Sequence, residues 1–584
     1  MSSSDSECFD FSSDEEIEDL FEENEDFEGF VYRLPDNIKF VKDEDGSLTQ
    51  RFYERNPHTA FSRADCGPAI DEKPGEGKAI DYFELFFPDE LFENIKLWTN
   101  RWVELKAVEN FSAISEIEEI KAYFALLLAM NKDVNLPRYE NYFRQDERKW
   151  LYLVPGFSRV FTLHRFQHLN RYICFADPDE LNLVDMARVT ENDKLAKVRP
   201  FIETMQKGFQ ENFNCGKAIA IDECMVPYKG RLSIKQRMTA KPVKWGVKLF
   251  ELCDSETSYL YRFEVYLGKE RNQQAQTPSA IGKSGEVVTQ LTNGLEGKGH
   301  NLYIDNWYTS VGLTHLLQAK GIYVCGTVRP NRKGYPAELK TLKGSKMARG
   351  NSEIRSYNGI TALAWKDTKL VHFLSTIHSP EEISTVQRNK RQGQGGYEVA
   401  EIQSHAIVND YNDNMGAVDR NDQLTCIQKS RKQMRWYMRL IVKFLELATY
   451  NAYIIEGFFT EHAILGQRKR DFATFREDLI LQLVGTWRTE RSKPGRKRSL
   501  EDPVRLENVG VHLPVKVMGT DHTCEVCREK HRRYMLCNPG VPKQQVPHKL
   551  TKTTFKCNGC DAYLCITREN DCFSDWHTKV EYWS

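Results

Sequence analysis

The run KAIAID at 217–222 is apolar and β-prone and ends on a carboxylate, Asp222. Behind it, KWGVKLFELCD (244–254) and YLYRFEVYLG (259–268) read as two further strands, rich in branched and aromatic residues. GEVVTQLTNGL (285–295) reads as a helix, NLYID (301–305) as a strand, TSVGLTHLLQAKG (309–321) as a helix and IYVCGTV (322–328) as a closing strand. Three strands, helix, strand, helix, strand is the order of an RNase H-like core. Asp222 then ends the first strand, and Asp305 follows the fourth.

A third acidic motif, MGAVDRNDQ (415–423), heads a helix-like segment and carries Asp419 and Asp422 three residues apart, on one helix face. Carboxylates that converge from separate elements can hold hard divalent cations, Mg²⁺ or Mn²⁺, for phosphodiester chemistry. A lone strand-end aspartate more often opens a turn or caps a helix, so the weight lies in the joint arrangement. Asp222, Asp305 and Asp419 are the expected metal ligands, with Asp422 as an auxiliary acid. Glu223 is expected to point to the opposite face of its strand.

Working outward, residues 1–76 are acidic and then punctuated by Gly, Pro and Asp, which predicts an unstructured N-terminal region. The stretch 77–213 has apolar residues at three- and four-residue steps and reads as helical. The core's first part covers 214–330. The gap from Asp305 to Asp419 exceeds what one strand and one helix need, so an insertion domain is expected at 331–408, with strands in ALAWKDTKLVHFLSTI (362–377). Helical character returns over 409–485, and a basic linker at 486–522 leads to a Cys-rich domain at 523–584. The fold class is therefore multidomain α+β.

The formal charge of −2 over 584 residues hides a split. Residues 1–30 hold thirteen acids and no Lys or Arg, which leaves the remainder at +11. A basic body suits a polyanionic partner such as DNA. Arg332 and Lys333, soon after the fifth strand, and the basic run KSRKQMRW (429–436), with Arg431, Lys432 and Arg435, are candidate DNA contacts. KPGRKR (493–498) is a candidate nuclear-import segment. No basic stretch followed by an apolar one opens the chain, and runs such as AYFALLLAM (122–130) are too short to span a bilayer. The expectation is a nuclear protein without a membrane partner.

Seven of the fifteen cysteines lie between Cys524 and Cys572. Cys524-x2-Cys527 and Cys557-x2-Cys560 have chelate spacing, and Cys565, Cys572 and His577 follow. In a reducing compartment this reads as one or two Zn²⁺ ions, not a disulfide framework. Two ions need eight ligands, and Cys537, His531 or His548 are the candidates for the eighth.

From about residue 78 the chain resembles the piggyBac-type transposases. The residues that carry the resemblance include IDYFELFF (80–87), DKLAKVRPFI (193–202), IDECMVPYKGR (221–231), KWGVKLFELCDSETSY (244–259), NLYIDNWYTS (301–310), CGTVRPNRKGYP (325–336), DYNDNMGAVDRNDQ (410–423), RKQMRWYMRL (431–440) and the terminal Cys/His cluster. The resemblance implies a catalytic set of Asp222, Asp305 and Asp419, with Asp422 at a further family-typical acidic position. It implies cut-and-paste transposition at TTAA sites through nicks and hairpins, and dimerisation and DNA binding by the flanking helical segments. It also implies cross-brace zinc ligation with recognition of terminal inverted repeats, and places Trp436 at a family tryptophan position. The family's GGVD reads GAVD here, with Ala417 for the second glycine. The alternatives are a domesticated, catalytically silent DNA- or chromatin-binding descendant, and an interaction protein acting through its zinc module.

Overall fold

The computed structural model describes residues 38–42, 58–63, 66–134, 136–144, 154–181, 193–239, 241–268, 281–391, 397–427, 434–463, 470–487, 512–519, 521–567 and 570–583. The chain divides into two units, Met1–Thr489 and Glu490–Ser584. The acidic stretch 1–30 and the KPGRKR segment lie outside the described residues.

The first unit is organised by one mixed sheet. Its strands are β1 (Ala218–Pro227), β2 (Trp245–Asp254), β3 (Leu260–Val265), β4 (Asn301–Ile304), β5 (Tyr323–Thr327), β6 (Ser352–Tyr357), β7 (Ile360–Lys366) and β8 (Leu370–Ser375), with the two-residue strand Gln236–Arg237 at one edge. The order from that edge is β2-β1-β4-β5-β8-β7-β6, and β3 also pairs with β2. β1 runs antiparallel to β2 and parallel to β4, and β4 runs parallel to β5. The stretch 331–408, expected as a separate insertion, instead adds β6, β7 and β8 to this sheet through antiparallel pairing of β8 with β5. It also forms a separate antiparallel hairpin of β9 (Ile383–Arg391) and β10 (Tyr397–His405).

Side-chain alternation along β1 divides two apolar layers, because successive strand residues face opposite sides. Ile219 and Ile221 pack with Val288 and Leu291 of α6 (Gly282–Leu291) and with Leu313 and Leu317 of α7 (Val311–Ala319). Ala220, Cys224 and Val226 face the larger core. That core is filled by α1 (Ala79–Glu84), α2 (Asp89–Leu105), α3 (Ile117–Asn131), α4 (Leu163–Tyr172) and α5 (Arg199–Glu211). The C-terminal helices α8 (Ala406–Asn414), α9 (Ala417–Thr425), α10 (Tyr437–Ala463) and α11 (Phe472–Val484) complete it.

Local chemistry fixes several helix ends. Ser310 caps α7 by accepting from Leu313 N at 3.2 Å, and Asp471 caps α11 by accepting from Thr474 N at 2.8 Å. α10 keeps Leu440, Ile441, Phe444, Leu445 and Leu447 fully buried, the three- and four-residue repeat of a core helix. A buried ion pair joins it to α11, with Arg476 donating to Glu446 at 2.6 Å and Asn131 donating to the same carboxylate at 2.7 Å.

Candidate functional site

Parallel pairing of β1 with β4 sets Ile221 opposite Ile304, so Asp222 and Asp305 lie side by side where that ladder stops. Asp222 does not end its strand as expected, because β1 continues to Pro227 through its antiparallel pairing with β2. Asp305 is fixed by its own turn, where Oδ1 accepts from Trp307 N at 2.9 Å. Asp419 arrives from the first turn of α9. Lys241 joins this group, with its Nζ 3.2 Å from Asp222 Oδ2 and 3.5 Å from Asp419 Oδ1. Burial, and then the neighbouring Glu223 charge, push the Asp222 carboxyl up to about 8. Burial and the Asp222 charge push Asp305 up to about 6. For Lys241, burial alone would pull the ammonium down, but Asp222, Asp419 and Glu223 together outweigh it and hold the charged form. The cluster carries more negative charge than one lysine balances, a condition that suits a divalent cation.

Glu223 faces the opposite side of β1 from Asp222, as strand alternation predicts. It lies opposite Phe250 on the α6/α7 side and accepts from Tyr308 Oη at 3.3 Å. Its charge nonetheless reaches Asp222 and adds to the upward push on that carboxyl. Asp222 and Glu223 are both half-buried, between two buried triplets of β1, with the β1–β2 register unbroken across them.

Asp422 points one helical step from Asp419 but into a different environment. Lys443 of α10, only 2% exposed at its side chain, donates to Asp422 Oδ1 at 2.8 Å and to Thr425 Oγ1 at 2.8 Å. Cys224 Sγ donates to the same Asp422 oxygen at 3.1 Å. Burial raises the Asp422 carboxyl, but Lys443 more than reverses this, and the net shift is downward. Glu251, directly across the ladder from Asp222 and fully buried, is pushed up to about 7 by burial against the opposing pull of Lys443. Ala417 sits inside α9 without a positive φ, so the departure from GGVD places a better helix former where no glycine is required.

The structure distributes the candidate DNA-contact residues unevenly. Arg332 donates to the carbonyls of Asn306 and Trp307 at 3.3 and 2.5 Å, bracing the turn that follows Asp305, while Lys333 beside it is exposed. Arg435 closes the C-terminal end of α4, donating to the carbonyls of Asn170, Arg171 and Ile173. Trp436 is half-buried against the core and meets Tyr437 edge-on at 5.8 Å. Arg431 and Lys432 lie outside the described residues.

In the second unit, the ligand atoms of Cys524, Cys527, Cys565 and Cys572 lie within 4.8 Å of one another, as do those of His512, Cys557, Cys560 and His577. Cys527 Sγ is 3.7 Å from both Cys565 Sγ and Cys572 Sγ. A tetrahedral zinc with Zn–S of about 2.3 Å sets its sulfurs about 3.8 Å apart, so the spacing fits. Cys560 Sγ lies 3.2 Å from His577 Nε2, and His577 Nδ1 meets Phe573 O at 2.7 Å, which orients the ring. The groups interleave along the chain, and each can hold one metal ion.

The eighth donor that the structure brings to these groups is His512, upstream of the cysteines. Of the expected donors, Cys537 is exposed at the end of α12 (Glu525–Cys537), and His531 Nδ1 is 2.8 Å from the carbonyl of His548. The strand Pro514–Lys516 pairs with Phe555–Cys557, which carries His512 into the metal unit from within the stretch expected as linker. The unpaired eighth position was the signal; a search upstream of Cys524 would have met His512.

The mixed α/β fold, the converging acids and the interleaved Cys/His groups define a class, and residues 78–453 match the family model described as Transposase IS4; the chain belongs to this family of piggyBac-type transposases. Human PiggyBac transposable element-derived protein 2 is 26% identical over 452 residues, 75% of this chain and 71% of that protein. Human PiggyBac transposable element-derived protein 3 is 25% identical over 510 residues, 85% of this chain and 76% of that protein. The cryo-EM structure of the piggyBac transposase synaptic complex with hairpin DNA aligns with a TM-score of 0.61 at 25% identity, covering 86% of this chain and 97% of that one. Among the described residues, no helix is long and apolar enough to cross a membrane.

Proposed function

We propose that this protein is a DNA transposase, a metal-dependent nuclease and strand transferase with an RNase H-like core, acting by cut-and-paste at TTAA sites. One observation carries the reading: Lys241 bridges Asp222 and Asp419, while the Asp222 charge raises the neighbouring Asp305, so acids from three separate elements share one electrostatic site. Asp222, Asp305 and Asp419 would hold Mg²⁺ or Mn²⁺. Such ions supply the charge that activates an attacking water or 3′-OH and stabilises the leaving oxygen. The chain's own task is orientation. The Trp307 amide fixes Asp305, Arg332 braces the same turn, and Lys443 fixes Asp422 and with it the start of α9.

The interleaved Cys/His groups would each take Zn²⁺ and present the second unit to terminal inverted repeats. Lys333, exposed beside the Arg332 brace, is the basic position proposed to touch phosphate near the acids. The working form would be a nuclear homodimer on DNA. The names of the human relatives, proteins derived from transposable elements, support a second reading: a domesticated DNA-binding protein that keeps this fold without catalysis.

The experiment is Mg²⁺-dependent nicking and hairpin formation on DNA carrying the gene's own flanking ends at TTAA, with Asp222→Asn and Asp305→Asn beside the wild type. Products from wild type alone support catalysis. Tight binding without any product supports the domesticated reading.

A further inference from the structure

The hairpin between the edge strand Gln236–Arg237 and β2 is pinned at its base. Gln236 pairs with Gly246, Arg237 pairs with Trp245, and Met238 N donates to Lys244 O at 3.0 Å. Lys241 therefore sits at a tip held from both sides. Arg237 and Lys244 on the same hairpin face solvent, whereas the Lys241 side chain turns inward and is 26% exposed. Its ammonium contacts one oxygen of Asp222 and one of Asp419, two of the three acids assigned above to the metal. The ammonium takes one oxygen of each acid and its charge repels a divalent cation at the same carboxylates, so the two cations oppose each other there.

We infer that Lys241 is a built-in competitor of the divalent ion: its ammonium compensates the acids in the metal-free protein, and metal enters by displacing it. This rests on the metal-site reading proposed above. The tip location makes the exchange mechanically simple, because a lysine side chain has four rotatable carbons and its hairpin base can stay paired while the ammonium swings out. The device keeps the acids from repelling one another in the absence of metal and weakens binding of stray cations.

The test is Mn²⁺ binding to the full-length, zinc-loaded chain, followed by the electron paramagnetic resonance of free Mn²⁺. Lys241→Gln removes the competing charge and is expected to bind roughly tenfold more tightly, the scale of losing a competing partly buried ion-pair partner. Lys241→Arg, which keeps a cation at the tip, should bind as the wild type does, and Lys244→Gln should change nothing. The gain in Lys241→Gln must disappear when Asp222→Asn is added, which assigns it to this site. An unchanged or weaker affinity in Lys241→Gln, with melting temperature preserved, overturns the competitor role alone. Absence of Asp222-dependent Mn²⁺ binding in both wild type and Lys241→Gln overturns the metal-site reading together with it.

Discussion

Replacing Lys443 by methionine tests the support beneath the acids with a predictable size. The lysine is buried and makes a 2.8 Å ion pair to Asp422 and a 2.8 Å hydrogen bond to Thr425. Methionine retains most of the apolar stem, so packing is nearly kept. Thr425 is not orphaned, because its hydroxyl also donates to Asn421 O at 2.8 Å. Asp422, at 39% side-chain exposure, can recover water, and fully buried Glu251, already pushed up to about 7, loses the opposing pull of Lys443 and takes a proton. The cost is then that of one charge-assisted hydrogen bond, about 2 kcal/mol, and not the 3–5 kcal/mol of stranding a fully buried charge. Urea titration read by hydrogen exchange in peptides covering 437–463 measures it locally, with exposed Lys244→Met as the control near zero. A loss below about 0.5 kcal/mol would show that Lys443 does not hold α9 in place, and one above about 5 kcal/mol would show that Asp422 cannot rehydrate.

Three further outcomes follow from the same geometry. Metal-free protein should bind Mn²⁺ with proton release, measured by calorimetry in buffers of different ionisation heat. The folded state keeps protons on Asp305 up to about pH 6 and on Asp222 up to about pH 8, which unfolded carboxyls lose near pH 4, so the metal-free fold loses stability as pH rises through that window and metal affinity rises with it. Elemental analysis should find two zinc ions per chain, with His512→Ala losing the ion shared with Cys557, Cys560 and His577 while the Cys524 group keeps its own. Arg476→Met should destabilise the first unit by about 3–5 kcal/mol in chemical unfolding, since it strands the fully buried Glu446 carboxylate; Glu446→Gln combined with it should recover part of the loss.

The core strands were legible because each is a short apolar run bounded by turn residues, and NLYID ends next to its acid as read, whereas the first strand runs past Asp222 to Pro227 because β2 goes on pairing with it. Register was not legible. Nothing local in 352–375 says that β8 will pair with β5, since that choice depends on which edge of the finished sheet is left open. Lys241, Lys443 and Glu251 were invisible for a related reason: each is an ordinary charged residue in sequence and becomes informative only through a partner brought in by tertiary packing. Arg435 shows the converse, a basic residue that reads as a DNA contact and is found closing a helix end. The cysteines were legible through their two-residue spacers, whereas His512 has no chelating neighbour and joins its group only through the Pro514–Lys516 pairing.

The interleaving of the two Cys/His groups ties one short helix to both of them at once. Cys572 serves one group and His577 the other, and both lie on the short helix Cys572–Thr578. A premature stop just before Cys572 would therefore take a donor from each group, whereas a stop between Cys572 and His577 would take one from the His512 group alone. Neither group can close until this helix has been made, so Cys572–Thr578 is a clasp that the two groups share.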